Sequence, residues 1–318
     1  MADILCFGDL LIDFVPTVSG VTFADLPAFK AAPGGAAANV AVGLVRLGVS
    51  SAFMGKVGDE AFGHLLADIL VREGVDVGPL RFDKRARTAL AFVTLAPDGE
   101  RDFLFYRHPS ADMLFTPEEV DLAAIRAARI FHFDSISLAS AQSRATALFA
   151  ADEAAKAGKL ISYDVNLRLP LWESEADARA GIAGGLSRAS VVKLSDSELM
   201  FMTGEVSPEA IRSRLWHDGL KLVVLSLGER GCLAMTEGNE TLVPSVPVKA
   251  VDTTGAGDGF VAGLLAGVAR EPGVLDDPDA LEALCRFANA VGAITTTGRG
   301  AIPSLPTTSQ VEALLSGI

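Results

Sequence analysis

The chain has 318 residues, half of them hydrophobic and only 7% aromatic, enough to bury a large core. A formal net charge of −13 argues against nucleic acid or an anionic membrane as the main partner, while leaving room for a local cationic site that takes a phosphorylated ligand. Three scattered cysteines form neither a disulfide framework nor a metal cluster, and the N-terminal "MADILCFGDLLIDFVP" is acidic where a signal peptide is basic and too interrupted to span a bilayer, so a soluble protein of a reducing cytoplasm is expected.

From the N-terminus, "DILCFGDLLIDF" reads as one buried strand and "AAANVAVGLVRLG" as a small-residue helix ending at Gly48. "SSAFMGKVG" is a further strand, followed by a helix from about Glu60 to Arg72. "TALAFVTL" and "RDFLFYR" read as two strands around a tight turn in "APDGE". With a short extended segment near residues 14–30, they predict a small β element off the main layer. It is a candidate lid, formed by insertions at about 14–30 and 82–108. The strands "ARIFHFDSI", "KLISYDVN", "SVVKLS" and "KLVVLSLG" follow with helical stretches between them, and the last long helices start near Ala256 and Pro278. This alternation predicts an α/β fold, a mostly parallel central sheet with helices on both faces. No repeat or polar linker divides the chain, so residues 1–318 read as one domain with an inserted lid.

"DTTGAGDGF", residues 252–260, lies between a strand-like run and a helix-like run. The first turn of a helix has unpaired N–H groups and a partial positive charge, which suits an anion. Gly255, Ala256 and Gly257 carry almost no side chain, so a phosphate can approach them. A carboxylate at Asp258 would repel that phosphate, unless it accepts a proton from a hydroxyl that attacks phosphorus. On the motif alone, a glycine-rich turn whose aspartate only complements the helix dipole stays open. The spacing fits neither the dinucleotide fingerprint nor a Walker P-loop.

"DTTGAGDGFVAGLL" resembles the C-terminal signature of the ribokinase-like, PfkB-type sugar kinases, and "PGGAAANVAVGLVRLG", residues 33–48, resembles their N-terminal signature. The similarity runs from about Ile4 to Pro306. "LIDFVPT", "ARTALAFVTL", "FYRHPSADM", "YDVNLRLPLW" and "VVKLSDSEL" look most like fructokinases. The resemblance implies ATP- and magnesium-dependent phosphorylation of a sugar hydroxyl beneath a β-sheet lid, giving fructose 6-phosphate from fructose. Among kinases the rival is 2-keto-3-deoxygluconate kinase, since related enzymes use a similar Tyr-x-Arg on the lid; a nucleoside kinase is a weaker third. The rival from another class is a non-catalytic sugar- or nucleotide-binding protein, which the intact Asp258 and anion hole disfavour.

Residue by residue, the resemblance makes Asp258 the catalytic base and Gly255, Ala256 and Gly257 the anion hole, with Arg168 facing the reacting phosphate. It assigns Asp13, Gly34, Gly35 and Asn39 to the sugar, with Arg107 at the sugar end. Paired glycines let the backbone approach a polyol, and an amide both donates and accepts. Lys193 supports the phosphates, Gly228 and Gly231 turn beside the nucleotide, and Asn289 lies near the adenine. Lys193 also reads as a solvated strand-end lysine, and Asn289 as a helix-surface amide. Glu198 matches the glutamate that organises magnesium through water, although Ser195 stands where the family usually has asparagine. Asp252 and Thr254 match part of a potassium site, with Ser304 of "TGRGAIPS" completing it. The resemblance also implies a homodimer through the lid, where Phe103 and Phe105 alternate on one strand; neither nucleic acid nor membrane is an expected partner. The four histidines show no ligand spacing.

Overall fold

The structure, a computed structural model, describes residues 2–18, 23–95 and 101–317. Strands β1 (Ile4–Phe7), β2 (Leu11–Pro16) and β3 (Phe29–Gly34) lead into helix α1 (Ala36–Arg46), β4 (Ser51–Gly58), α2 (Ala61–Arg72) and β5 (Leu80–Asp83). Then come β6 (Ala89–Leu95), β7 (Arg101–Tyr106), α3 (Leu122–Ala127), β8 (Ile130–Asp134), α4 (Ala141–Lys156), β9 (Leu160–Asp164), α5 (Glu175–Leu186) and β10 (Val191–Ser195). The C-terminal part runs through α6 (Asp196–Thr203), α7 (Pro208–Arg214), β11 (Leu222–Ser226), β12 (Cys232–Met235) and β13 (Glu240–Val243). It ends with α8 (Ala256–Arg270), α9 (Pro278–Thr295), α10 (Ala301–Ser304) and α11 (Thr308–Ser316).

The main sheet has the order β13-β12-β11-β10-β9-β8-β1-β4-β5. It is parallel from β11 to β5; among its described strands only β12 runs against the others, pairing antiparallel with both β11 and β13. All four residues of β1 are buried, and successive side chains enter different cores. Ile4 and Cys6 join the cluster shared with α1, α8 and α9, while Leu5 and Phe7 join the one shared with α4 and α5. A strand buried on both faces reads as a continuous apolar run, as β1 does. Cys6, Cys232 and Cys285 are free and fully buried. Burial pushes the Cys6 thiol up, and the neighbouring Cys232 together with burial does the same to Cys285. Among the described residues, no helix is long and apolar enough to cross a membrane.

The small sheet has the order β3-β2-β6-β7, with β2 and β6 parallel and the outer pairs antiparallel. Register puts Leu11, Asp13, Ala91 and Phe105 on one face and Phe14, Phe92, Leu104 and Tyr106 on the other.

Four sequence expectations change here. "DILCFGDLLIDF" is two strands in two sheets, not one. Gly8 still donates to the Met54 carbonyl, but a Cβ there would lie 2.7 Å from that of Ala37, so the chain passes close under α1 and leaves the main sheet. The first arm of the small sheet spans β2 and β3, wider than 14–30. Its second arm starts at Ala89 rather than near 82, because β5 belongs to the main sheet. The β12–β13 hairpin was not anticipated. The expected turn at 96–100 lies outside the described residues.

Candidate active site

The order of the main sheet reverses around β1, whose neighbours β4 and β8 follow in opposite directions, and in open α/β sheets a crevice forms at the strand carboxyl ends near such a point. A cavity of about 690 Å³ lies there. It is lined from the small sheet by Leu11, Asp13 and Phe105, from the start of α1 by Gly35, Ala36 and Asn39, and from α8 by Gly257 and Asp258. Arg168, Lys193, Glu198, Thr254 and Gly255 complete the set of expected residues that it brings together.

Gly255 caps α8 in the left-handed region, φ 77°, and a Cβ there would press against Ala301 at 2.9 Å from its Cα; only glycine fits. The N–H of Ala256 donates to the Thr253 carbonyl within the turn, and Ala256 does not line the cavity. The bare backbone facing the cavity is therefore that of Gly255 and Gly257. A Cβ at Gly257 would lie 3.1 Å from Lys193 Nζ, which places the ammonium at the mouth of the helix. Lys193 is buried, not a solvated strand end, and pairs with Asp164 at 3.1 Å. Burial pulls its pKa down, but Asp164 and Glu198 more than offset that, so it stays charged.

Asp258 is in the first turn of α8 and buried. Burial raises its pKa; the opposing influences are a hydrogen bond from Asn39 Nδ2 at 2.7 Å and the charges of Arg168 and Lys193. Asn39 is thus committed to the carboxylate through its donor. Its Oδ1 is buried with no partner among the described residues, an acceptor directed elsewhere. Glu198 accepts from the N–H groups of Leu167 at 2.9 Å and Ser195 at 2.7 Å. Ser195 in turn caps α6 through its hydroxyl, which explains a serine at that place. Arg168 is exposed and donates to the Leu167 carbonyl at 3.1 Å.

Other expected residues lie elsewhere. Arg107 does not line this cavity: it is buried, paired with Asp112, and lines a smaller neighbouring cavity of about 220 Å³. A buried guanidinium needs a carboxylate, and "RHPSAD" supplies one five residues on. Asn289 is neither exposed nor on the cavity. Its Nδ2 donates to the Val243 and Pro244 carbonyls at 3.2 Å each, fastening the end of β13 to α9. Gly228 and Gly231 have φ of 60° and 98° in the turn after β11, off the cavity. Gly34 ends β3 just behind the lining. Asp252 accepts from Thr254 N at 2.7 Å and Gly300 N at 3.0 Å, tying the 252–254 loop to the loop before α10; Ser304, beside Gly298, stands at the end of α10.

Sequence reasoning missed Asp9, Asp164 and Asn166. Asp9 lines the cavity but was read as mid-strand. Burial raises its pKa to about 6 against the pull of Arg107. Asp164 and Asn166 stand in "YDVNLR", from which only the arginine was drawn. Asn166 adopts φ 33°, rare for a residue with a Cβ, and its Nδ2 is buried without a partner among the described residues.

A model of the pfkB family of carbohydrate kinases matches residues 1–308. Probable fructokinase-4 of Arabidopsis thaliana is 54% identical over 316 residues, covering 99% of this chain and 97% of the relative. A crystal structure of fructokinase from Xylella fastidiosa with bound ATP has a TM-score of 0.92 at 35% identity, over 100% of this chain and 99% of that one. A double mutant of the Vibrio cholerae O395 fructokinase, bound to fructose, ADP and potassium ion, gives 0.89 at 33% identity, over 99% and 98%.

Proposed function

The chain belongs to the pfkB family of carbohydrate kinases, with its ribokinase-like fold, and on that footing we propose that it is a fructokinase transferring the γ-phosphoryl group of ATP to fructose. The product is fructose 6-phosphate. The observation that carries the reading is Asp258, a buried carboxylate in the first turn of a glycine-opened helix, facing one cavity with Asp13, Asn39 and Lys193.

In this reading Asp13, the backbone at Gly34 and Gly35, and the free acceptor of Asn39 hold the sugar hydroxyls. The Asp258 carboxylate takes the proton of the attacking hydroxyl as the new O–P bond forms and the bond to ADP breaks. Gly255 and Gly257 face the charge spreading over the transferred group with their N–H groups, and Lys193 and Arg168 add fixed positive charge. Gly228 and Gly231 shape the turn beside the nucleotide, with Asn289 holding the neighbouring segment. The small sheet closes over the sugar and keeps water from the phosphate.

Magnesium, which neutralises charge on phosphate oxygens, fits through water rather than directly. Among the described residues there is no group of three His, Cys, Asp or Glu side chains to cage a metal. Glu198 lines the cavity with each oxygen accepting only one N–H, which leaves lone pairs for a hydrated ion held by the phosphates. Asp252, which ties the 252–254 loop to the loop before α10, would hold potassium there together with Thr254 and Ser304, and the ion would order the start of α8.

The acid-sugar alternative would need a free cation at the sugar end, and Arg107 is occupied by Asp112. Cytoplasmic location and a homodimer through the aromatic face of the small sheet belong to the same reading. The decisive experiment is one coupled assay with ATP and magnesium against fructose, ribose, adenosine, 2-keto-3-deoxygluconate and fructose 6-phosphate. Fructose should give the highest kcat/KM; no turnover of it, or a better acceptor in the panel, overturns the assignment.

A further inference from the structure

Asp9 stands at the meeting point of three parts of the molecule. It follows β1, and its Oδ1 accepts the N–H of Ala36, the first residue of α1, at 3.1 Å. The backbone fits as closely as the side chain: Gly35 has φ 112°, and a Cβ on it would lie 2.9 Å from the Asp9 carbonyl carbon. On its other side, Asp9 shares a small cavity with Arg107 and Asp112, and Arg107 and Asp9 attract each other electrostatically. Arg107 directly follows β7, two residues after Phe105, which faces the main cavity. The same helix whose start Asp9 holds carries Asn39 one turn later, and Asn39 holds Asp258 at 2.7 Å.

We propose that Asp9 is a positioning residue for catalysis: facing the Arg107 charge across a small cavity below the small sheet, it fixes the first turn of α1 so that Asn39 meets the Asp258 carboxylate. The links from Asp9 to α1 and from Asn39 to Asp258 are buried hydrogen bonds of 3.1 and 2.7 Å, and Arg107 acts on Asp9 through its charge across a shared cavity; linked groups of this kind can carry coupling between separate elements. Asp9 touches neither Asp258 nor Asn39 through any hydrogen bond described here; it acts through α1. Its carboxylate also explains why Arg107 is buried so near a sugar cavity without lining it.

The inference rests on the kinase reading of Asp258, and the tests separate the two. Asp9→Ala should lower kcat for fructose about 3- to 30-fold, the span expected of couplings carried by packed networks. KM for ATP should change by no more than about twofold, since the lost interaction belongs to the reacting geometry and not to nucleotide binding. Asn39→Ala combined with Asp9→Ala should cost no more than Asn39→Ala alone, because both remove one device. Losses that multiply in the double variant overturn the role of Asp9 while leaving the kinase assignment intact. Asp9→Asn keeps an acceptor for Ala36 and gives up only the charge facing Arg107. It should lose less, show the same non-additivity, and serve if the alanine variant fails to fold. A readout independent of turnover is the Asn39 side-chain amide in nuclear magnetic resonance. It should shift toward a free amide in the Asp9 variants, and an unmoved signal overturns the inference even if the sugar proves not to be fructose.

Discussion

The side-chain amide of Asn39 donates to the Asp258 carboxylate across 2.7 Å, joining helices that lie 219 residues apart in the chain. The two signatures at 33–48 and 252–260 therefore meet at one hydrogen bond. That bond stabilises the charged form of a carboxylate that burial pushes the other way.

A general base works ionised, so a raised pKa in Asp258 puts the acid limb of the pH–rate profile above that of an ordinary aspartate, about 3.9. Removing the Asn39 bond removes an influence that lowers this pKa. Asn39→Ala should therefore move the acid limb of kcat/KM to higher pH, and a profile that stays put or moves down contradicts the pairing. Asp258→Asn keeps the shape without the acceptor, and turnover should fall roughly 10²- to 10⁴-fold while ATP and fructose still bind. Retention of a tenth of the wild-type kcat removes Asp258 from the role of base.

A substrate acid should be disfavoured at the sugar end. Asp9, Asp13 and Asp258 line the cavity, and the nearby Arg107 is paired with Asp112. A carboxylate on the substrate would face acidic groups with that cation withheld. Fructose should exceed 2-keto-3-deoxygluconate by at least about a hundredfold in kcat/KM, a fraction of the discrimination a built polar site reaches. Equal or reversed values would point to the acid-sugar kinase.

The cavity-facing side of the small sheet carries Asp13 and Phe105, so bound sugar should still it. Hydrogen exchange in peptides spanning 89–95 and 101–106 should slow on adding fructose. If those peptides exchange unchanged while others slow, the small sheet is not a lid.

The opposite face is where a second copy should sit. Phe92 contacts Phe14, Phe29 and Tyr106 with ring centroids 4.8–5.3 Å apart, and Phe23, Leu104 and Tyr106 are exposed. An exposed apolar patch of this kind suits an interface between two copies. Leu104→Glu with Tyr106→Glu should convert a dimer to a monomer in sedimentation velocity; a monomeric wild type, or an undisturbed dimer, refutes the interface.

Asp134 gives a prediction about stability. It is fully buried beside Asp164 in the register of β8 and β9, and burial with the charges of Asp9, Asp164 and Asp258 pushes it well above the usual carboxylate range. The folded protein thus holds a proton that the unfolded chain releases above about pH 4, so stability from this group falls as pH rises from there toward the folded pKa. Asn at this position can still accept from Ile136 N–H, as Asp134 does at 3.0 Å. Asp134→Asn should raise Tm at pH 7.5 on the order of 2 °C, with the gain vanishing toward pH 4. A loss at pH 7.5 contradicts it.

The alternation of strands and helices was legible because both-face burial makes each parallel strand a short apolar run between helices. The site at 252–260 was legible because a helix opened by glycines has few uses for a carboxylate. Asp9 was not legible. It stands inside an unbroken apolar pattern, and only the close passage of Gly8 under Ala37 reveals that the chain changes sheets there. Arg107 and Asn289 were placed by resemblance, but their partners, Asp112 and the carbonyls of Val243 and Pro244, depend on how the loops close. Spacing in the sequence says nothing of that closure.

The buried thiols have a practical side. The thiolate is the form that attacks a thiol reagent, and Cys6, Cys232 and Cys285 are enclosed, with Cys232 and burial also favouring the protonated form of Cys285, and burial that of Cys6. The folded protein should therefore take up little maleimide. One cysteine set on an open helix face, such as Val71→Cys where the native side chain is 56% exposed, would carry a fluorophore or spin label on the otherwise native sequence.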